Sequence, residues 1–344
     1  MTKQTGFIDT GVDIRNVSAA TPGLASRRPA FTEIPVVDFS AMASGSAERK
    51  AVLANEVYKA CSEIGFLYIK NHGISQSDMD VLMDTSRRFF DMDDAEKLKI
   101  DISHSSFSRG YIPMYGEKNN EHSKGDKKET FDMAIEVARD DPDFLAGNPV
   151  YGPNQWPDSF PEFRSVMTAQ FERMTRLCHD IYRAFALALG LPEDYFESMI
   201  DKPLDILRLL RYPPQPVVDD DQQIGTGAHS DFDCFTVLYQ DPTGGLQVLN
   251  SADEWIDAPP IDGTFLINIG DMMERWSNGL FVSTIHRVIN KAQTDRYSSV
   301  FFAAPNYHAV VECLPNCSSE ENPPKFSPVS AGEYIVSRYE AVLV

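Results

Sequence analysis

The stretch His229-Ser-Asp-Phe-Asp-Cys-Phe-Thr-Val-Leu-Tyr-Gln240 joins two polar residues to a short apolar run, and it decides how the second half of the chain folds. From Phe235 onward, aromatic and β-branched residues predominate, which is typical of a buried strand. Ahead of this run, an imidazole and a carboxylate stand two residues apart. Because side chains alternate along a strand, His229 and Asp231 are predicted to project from one face of a strand.

Further β-rich runs surround this stretch, and Gly, Pro, Asp and Asn separate them. They span residues 206–212, 246–249, 265–269, 284–289 and 298–302. Many short strands at this spacing predict a sandwich or a jelly roll.

The first half of the chain has a mixed α/β character. Residues 34–39 and 66–69 are predicted strands, and an amphipathic helix follows each of them. Between residues 109 and 157 the sequence is irregular and polar, which predicts long surface loops. Ser159 and Glu162 then have the form of a capping box, and apolar residues at three-and-four spacing predict that the longest helix follows.

The change from an α/β pattern to a β-rich pattern predicts the domain organisation. Residues 1–30 are predicted to form an exposed lead-in, residues 31–155 an α/β region, and residues 156–344 a long helix plus a β-rich core. No repeat or low-complexity linker separates the last two regions, so we expect them to pack as one unit. A chain of 344 residues is near the upper limit for one hydrophobic core.

The composition excludes several classes of partner. The net charge of −20, with no compensating basic cluster, argues against nucleic-acid binding. No apolar run approaches the roughly 20 residues of a membrane span, and no signal peptide is evident at the N-terminus, so a cytoplasmic location is expected. Five cysteines without a CxxC pair are typical of free thiols in a reducing compartment. A small-molecule partner is expected, and the oligomeric state stays open.

A second imidazole makes the pair at 229 and 231 more informative. His286 lies in the β-rich run 284–289, which can lie opposite the first strand in a rolled-up sheet. Two histidines and one carboxylate form the facial triad of non-haem iron(II) enzymes, which leaves coordination positions open. His229, Asp231 and His286 are therefore the predicted metal ligands.

A basic residue about ten positions later suggests what fills the open positions. Arg296 and Ser298 again share one predicted strand face, and a guanidinium binds a carboxylate bidentately. If the bound acid is 2-oxoglutarate, the charges of the ferrous ion and Arg296 balance those of Asp231 and the dianion, which makes burial tolerable. Tyr212 is either a further donor to this acid or a buried tyrosine satisfied by the backbone.

At these residues the sequence resembles the 2-oxoglutarate/Fe(II)-dependent dioxygenase superfamily, in its isopenicillin N synthase-like branch. The matching segments cover most of the chain and keep the order expected for that branch. They are 34–38, 65–73, 109–111, 244–248, 268–271, 275–278, 283–288, 296–298 and 305–306.

The resemblance implies an α+β fold with a distorted double-stranded β-helix, a jelly roll of the cupin-like kind, flanked by helices. It implies that Fe(II) is held by the three predicted ligands and 2-oxoglutarate by Arg296 and Ser298. It also implies O₂ as co-substrate and ascorbate as a reductant. Asp231 argues against halogenation, because halogenating members of the family have a small residue at that position.

The function that the resemblance implies is hydroxylation or desaturation of a small organic substrate, coupled to decarboxylation of 2-oxoglutarate to succinate. Two alternatives stay open. The first is an isopenicillin N synthase-type oxidase that uses O₂ without 2-oxoglutarate, with Arg296 and Ser298 holding the substrate's own carboxylate. The second is a catalytically silent protein that binds a small molecule.

Several residues near the predicted site have more than one interpretation. Arg109 and Tyr111 either contact the substrate or anchor a loop. Arg211 or Arg109 could attract a small anionic molecule to the mouth of the pocket. Leu210 stands where plant members of the family commonly have Asn.

Overall fold

The computed structural model of the protein describes residues 7–9, 14–16, 30–118, 125–215 and 223–342. Most of the predicted lead-in of residues 1–30 lies outside the described residues, and the prediction that it is exposed is not tested by the remainder. Within the described ranges, no helix combines the length and the apolar character needed to cross a membrane.

The first part of the chain alternates strands and helices. Its elements are β1 (Phe7–Asp9), β2 (Ile14–Asn16), β3 (Val36–Asp38), α1 (Ser40–Ser44), α2 (Ala47–Glu63), β4 (Phe66–Lys70), α3 (Gln76–Phe90), α4 (Asp94–Lys97), β5 (Gly110–Ile112), β6 (Glu129–Ala134) and α5 (Pro142–Leu145).

The second part begins with a long helix and continues mainly as strands. Its elements are α6 (Pro161–Ala188), β7 (Ile206–Tyr212), β8 (Thr226–His229), β9 (Phe235–Gln240), β10 (Leu246–Leu249), β11 (Trp255–Asp257), β12 (Thr264–Ile269), α7 (Asp271–Trp276), β13 (His286–Val288), β14 (Arg296–Ala303), β15 (Val310–Val311), β16 (Val329–Ser330) and α8 (Ala331–Val342).

Two sheets form the centre of the fold. The larger has eight strands in the order β3-β4-β12-β9-β14-β7-β6-β5, and the smaller has four in the order β11-β10-β13-β8. Every pair in these two sheets is antiparallel except β3 with β4. The predicted fold class, an α+β jelly roll flanked by helices, is confirmed.

Helices cover the outer face of the larger sheet. Helix α6 packs against α2 and α3, and its apolar stripe meets aromatic residues from α3 and from the strands. The ring centroid of Phe163 lies 4.7 Å from that of Phe89 on α3 and 4.9 Å from that of Phe131 on β6. Aromatic packing of this kind fixes the helices on the sheet. The inner face of the larger sheet is therefore left to the smaller sheet and to the cavity between them.

The prediction of surface loops between residues 109 and 157 was wrong for two strands. β5 and β6 pair with each other, β6 also pairs with β7, and all six residues of β6 are buried. The sequence concealed β6 because it contains Glu129 and Asp132, residue types that are usually solvent-exposed. In the fold, Glu129 pairs with Lys97 and Asp132 with Arg208, so their charges are compensated inside the protein.

The start of α6 also differs from the prediction. Phe160 occupies the N-cap position without a side-chain cap, and Ser159 instead donates its hydroxyl to Glu96, so the capping box was wrong. Pro161 begins the helix, since its fixed φ suits the first helical position and its missing N–H needs no partner there. With 28 residues, α6 is the longest described helix, as predicted.

Candidate metal centre and its cavity

Three polar side chains converge between the two sheets. His229 ends β8 and His286 begins β13, and the two residues face each other in the register of these antiparallel strands. Their ring centroids are 4.3 Å apart. Oδ1 of Asp231 lies 3.4 Å from Nε2 of His229 and 3.7 Å from Nε2 of His286. The three ligand atoms all lie within 4.8 Å of one another, close enough to surround one metal ion.

The route to this convergence differs from the prediction in one respect. Asp231 does not share a strand face with His229, because β8 ends at His229 and Asp231 lies in the turn before β9. This turn is held by the backbone amide of Asp271, which donates to the carbonyl of Asp231 at 2.8 Å. The run that contains His286 does lie opposite that of His229, as its antiparallel partner within the smaller sheet.

The two imidazoles are oriented as metal ligands. Nδ1 of His229 contacts the carbonyl of Gly227 at 2.8 Å, and Nδ1 of His286 contacts the carbonyl of Thr284 at 3.2 Å. A carbonyl only accepts, so each Nδ1 carries a proton, and each Nε2, which lies on the side of Asp231, is the nitrogen left for a metal. Two neutral nitrogens and one carboxylate oxygen are donors that suit Fe(II), so the residues fit this metal.

Charge states support the same interpretation. Burial raises the pKa of Asp231, but His286 and His229 outweigh burial and hold the pKa below its usual range. Burial and the neighbouring His229 lower the pKa of His286 to about 4. At neutral pH the carboxylate is therefore ionised and the His286 imidazole is neutral, which are the protonation states that metal binding requires.

Two residues that the sequence analysis did not single out hold the carboxylate of Asp231. Oδ2 of Asp231 accepts a bond of 2.7 Å from the Asn268 amide and another from the hydroxyl of Thr236. Asn268 and Thr236 are register partners on β12 and β9, so the larger sheet fixes both donors. These bonds occupy Oδ2 and leave Oδ1 directed at the imidazoles. Two signals were available for Asn268: it is a polar residue within the apolar run of β12, and it begins the matching segment 268–271.

A cavity of about 100 Å³ lies between the sheets beside these donors. Alternate residues of β14 line its opposite wall. They are Arg296, Ser298, Val300 and Phe302. The structure thus places Arg296 and Ser298 on one strand face, as predicted, and Nη1 of Arg296 donates to Oγ of Ser298 at 3.2 Å.

Arg296 is a buried cation without an ion-pair partner among the described residues, and it is only 1% exposed. Its Nε donates to the carbonyl of Gly244 at 2.5 Å, and its Nη2 donates to Oε1 of Gln240 at 3.1 Å. Burial lowers its pKa, while Tyr212 and Asp241 oppose that shift. A buried charge needs compensation, so the cavity fits a ligand that brings a carboxylate.

Tyr212 lies against this cation. Its ring centroid is 4.8 Å from Cζ of Arg296, and the two residues are register partners on β7 and β14. Its hydroxyl accepts a bond of 3.3 Å from Oγ1 of Thr226. Among the described residues, the hydroxyl thus bonds a side chain and not the backbone.

The basic residues predicted at the pocket mouth have structural roles. Arg109 is buried and donates to three backbone carbonyls, so it anchors a loop. The hydroxyl of Tyr111 donates to Glu129 at 2.5 Å. Arg211 pairs with Asp295 at 2.8 Å and with Glu129 at 3.0 Å. Neither arginine lines the cavity, so the prediction that Arg211 or Arg109 attracts an anion there was wrong.

The geometry first defines a class. A jelly roll that directs two imidazoles and a carboxylate at one point, and leaves the facing side of the cavity open, is typical of mononuclear non-haem iron enzymes. Comparison with known proteins gives the family. Residues 203–305 match the 2OG-Fe(II) oxygenase superfamily, and residues 34–159 match the family described as non-haem dioxygenase in morphine synthesis N-terminal. The chain belongs to the 2-oxoglutarate/Fe(II) oxygenase superfamily.

Relatives of full length support this assignment. A 2-oxoglutarate-Fe(II) type oxidoreductase of Emericella nidulans is 35% identical over 315 residues, covering 90% of each chain. A homoarginine-6-hydroxylase of Glycine max is 37% identical over 322 residues, covering 90% of this chain and 96% of that protein.

Solved structures agree with the fold and with the co-substrate. A full-length Neurospora crassa protein in complex with alpha-KG and thymine superposes with a TM-score of 0.79 at 31% identity, covering 90% of this chain and 96% of that one. A 2OG-Fe(II) oxygenase family protein from Caulobacter crescentus gives a TM-score of 0.78 at 28% identity, covering 90% and 99%. The protein is therefore a 2-oxoglutarate- and Fe(II)-dependent oxygenase, with O₂ as the second co-substrate.

Proposed function

We propose that the protein hydroxylates or desaturates a small organic molecule, with Fe(II) held by His229, Asp231 and His286. In this proposal Arg296 and Ser298 hold the distal carboxylate of 2-oxoglutarate. The observation that carries it is the buried guanidinium of Arg296 across the cavity from three convergent metal donors. The bound metal supplies the oxidising chemistry together with O₂ and the 2-oxo acid.

Hydrogen bonds within the chain fix the side chains of the proposed carboxylate site. Gln240 donates its own amide to the carbonyl of Ala258 at 2.9 Å, which turns Oε1 toward Arg296. With Nε and Nη2 engaged by Gly244 and Gln240, the guanidinium cannot rotate away from the cavity. A donor fixed in this way needs little reorganisation on binding. Tyr212 would add its hydroxyl proton to the same carboxylate.

Apolar residues beside this site exclude water. Leu238 on β9, Leu246 on β10 and Val288 on β13 line the cavity together with the arginine and the metal donors. Removing water strengthens the electrostatic interactions inside the cavity and keeps reactive species from solvent. Leu210 shares this wall, so an apolar side chain stands where plant relatives commonly place Asn.

The first experiment needs no substrate. We expect the anaerobic Fe(II) protein to develop a weak visible charge-transfer band when 2-oxoglutarate is added, and to form succinate once O₂ and ascorbate are supplied. Iron binding without the band, together with turnover in the absence of any 2-oxo acid, would favour the oxidase alternative. A protein that binds no iron would be the silent binding protein instead.

The hydroxyl of Thr236 provides a more local test. We expect Thr236→Val to weaken Fe(II) affinity by roughly 10-fold, because groups that orient a metal ligand contribute about 10- to 100-fold. The measurement is an anaerobic Fe(II) titration followed by the charge-transfer band at saturating 2-oxoglutarate.

Thr264→Val on β12 is the matched control for this prediction. The Thr264 hydroxyl is also in a buried strand, but it donates to the carbonyl of Ile261 at 2.8 Å, away from the cavity. Its replacement should leave iron affinity unchanged. Equal losses in the two variants would show that the effect of Thr236 is one of general stability.

We also propose that residues 31–155 and 156–344 pack as one unit. The protein is proposed to act in the cytoplasm, and its substrate is proposed to be a small molecule of secondary metabolism. Both regions contribute strands to the larger sheet, which supports the first point. The five cysteines are free thiols, which supports a reducing compartment.

A further inference from the structure

A second cavity adjoins the one beside the three metal donors, which is called the metal cavity below. The second cavity has a volume of about 190 Å³, against about 100 Å³ for the metal cavity. A small void of about 20 Å³ shares lining residues with both. The second cavity is called the apolar cavity, because most of its lining is hydrophobic, including Phe107, Ala134, Val150, Ile206, Ile335 and Val336.

One face of β7 runs past both cavities. Tyr212, Leu210 and Arg208 line the metal cavity, and Ile206, the next residue on that face, lines the apolar cavity. Ile206 is the register partner of Phe302 on β14, which lines the metal cavity. Because directly opposed residues on neighbouring strands share a face, the two cavities adjoin at this pair.

Tyr339 on α8 lies at the junction of the cavities. Among the described residues, it alone lines the metal cavity, the small void and the apolar cavity. The void also shares Arg208 with the metal cavity and Ile206 with the apolar cavity, so it marks the passage between them. The Tyr339 side chain therefore separates the two larger cavities, and its position determines whether a ligand can extend from one into the other.

Polar groups at the apolar cavity are bonded within the protein. Arg109 donates to three backbone carbonyls, and the hydroxyl of Tyr151 donates to the carbonyl of Lys202 at 2.6 Å. A ligand in this cavity therefore gains mainly from the burial of apolar surface. Ser106 and Ser108 also line the cavity and are exposed, so one side of it lies at the protein surface.

We propose that the apolar cavity binds a neutral, apolar portion of the prime substrate, and that Tyr339 controls how far this portion extends toward the metal. Molecules with an alkyl chain or a hydrocarbon ring at one end have this chemistry. The inference rests on the proposed function, because iron and 2-oxoglutarate would occupy part of the smaller metal cavity and the substrate needs space beyond it.

Straight-chain alcohols of increasing length test for the binding site. 1-Butanol, 1-hexanol and 1-octanol are titrated anaerobically into the Fe(II) protein at saturating 2-oxoglutarate, and their dissociation constants are measured by calorimetry. We expect 1-octanol to bind at least ~10-fold more tightly than 1-butanol, because affinity rises with each methylene that is buried. Equal affinities, or the absence of saturable binding, would overturn the proposal.

Two substitutions on β6 locate the bound alcohol. Ala134→Leu fills part of the apolar cavity with a larger side chain, so the affinity for 1-octanol should fall by at least ~5-fold. Met133→Leu is the matched control, since Met133 is the adjacent buried residue and lines neither the apolar cavity nor the metal cavity. It should keep the affinity. The same loss in both variants, or no loss in Ala134→Leu, would contradict binding in the apolar cavity.

Paramagnetic relaxation tests the connection to the metal cavity. Mn(II) replaces Fe(II), and the NMR line widths of the 1-octanol protons are compared with those in the Zn(II) protein. Because this relaxation falls steeply with distance from the metal, we expect one end of the bound alcohol to broaden more than the other. No broadening beyond that in the Zn(II) protein would show that the apolar cavity does not lead to the metal.

Two tyrosine variants on α8 test the role of the junction. Tyr339→Ala removes the ring between the cavities, so it should increase the broadening. Tyr334→Ala is the matched control, since Tyr334 is also buried on α8 but lines neither cavity. It should leave the line widths unchanged. Equal changes in the two variants would show a general loosening of α8, and they would refute the role of Tyr339.

The charge-transfer band separates the two possible failures. If 2-oxoglutarate produces no band in the unmodified protein, the proposed function itself fails. If the band forms and the alcohols bind alike or not at all, only the role of the apolar cavity fails. The alcohol series in the unmodified protein also decides the question without any variant that might not fold.

Discussion

In the His286→Ala variant, Fe(II) affinity is expected to fall by more than ~100-fold, and succinate formation at micromolar iron should disappear. Residues that only orient a metal ligand contribute about 10- to 100-fold to metal affinity. A residue that binds the metal directly is expected to contribute more. In the structure, the loss would leave His229 and Asp231 as a pair of donors separated by 3.4 Å. Anaerobic Fe(II) titration and succinate quantification measure the two effects.

His179→Ala is the control for this prediction. His179 lies on α6 and contacts Glu197 at 3.5 Å, outside the cavity. Its replacement should leave iron affinity and succinate formation unchanged. Retention of tight iron binding in His286→Ala would place the metal elsewhere and refute the assignment of the three ligands.

The second large effect concerns the co-substrate. Arg296→Met should raise the KM for 2-oxoglutarate by at least ~30-fold, because loss of one partner of a buried charge pair costs about 2–5 kcal/mol. Iron affinity should hardly change, since Arg296 lies across the cavity from the metal donors. Steady-state kinetics over a wide range of 2-oxoglutarate concentration measures the change.

Arg211→Gln is the matched control. Arg211 is next to Tyr212, the register partner of Arg296 on β7, but it forms ion pairs with Asp295 and Glu129. The KM for 2-oxoglutarate should stay at its original value in this variant. An unchanged KM in Arg296→Met would require a different carboxylate site.

The strands and helices with a clear apolar pattern were predictable from the sequence. The apolar runs of β9 and β12 predict buried strands, and the three-and-four spacing in α6 predicts a helix with one buried face. β6 and β8 could not be identified in this way. β6 contains charged residues that find buried partners, and β8 is short and contains Gly227.

The candidate site shows a similar division. His229, Asp231 and His286 could be proposed from residue type and spacing, although the strand-face argument for Asp231 was wrong. The buried contact between Glu117 and Arg208 at the cavity could not be predicted, because the two residues are 91 positions apart. Such a contact depends on the pairing of whole strands, and no local pattern reports it.

The turn that carries Asp231 joins the two sheets, because β8 belongs to the smaller sheet and β9 to the larger. If iron is held as proposed, His229 and His286 attach the ion to two strands of the smaller sheet. Asp231 attaches it to the larger sheet, because its carboxylate accepts bonds from residues on β9 and β12. Ligand occupancy then adds directly to folding stability, by about 2.7 kcal/mol at 100 times the dissociation constant. A cell short of iron would therefore hold protein that is more easily unfolded and degraded, so the supply of this metal would set the lifetime of the enzyme as well as its rate.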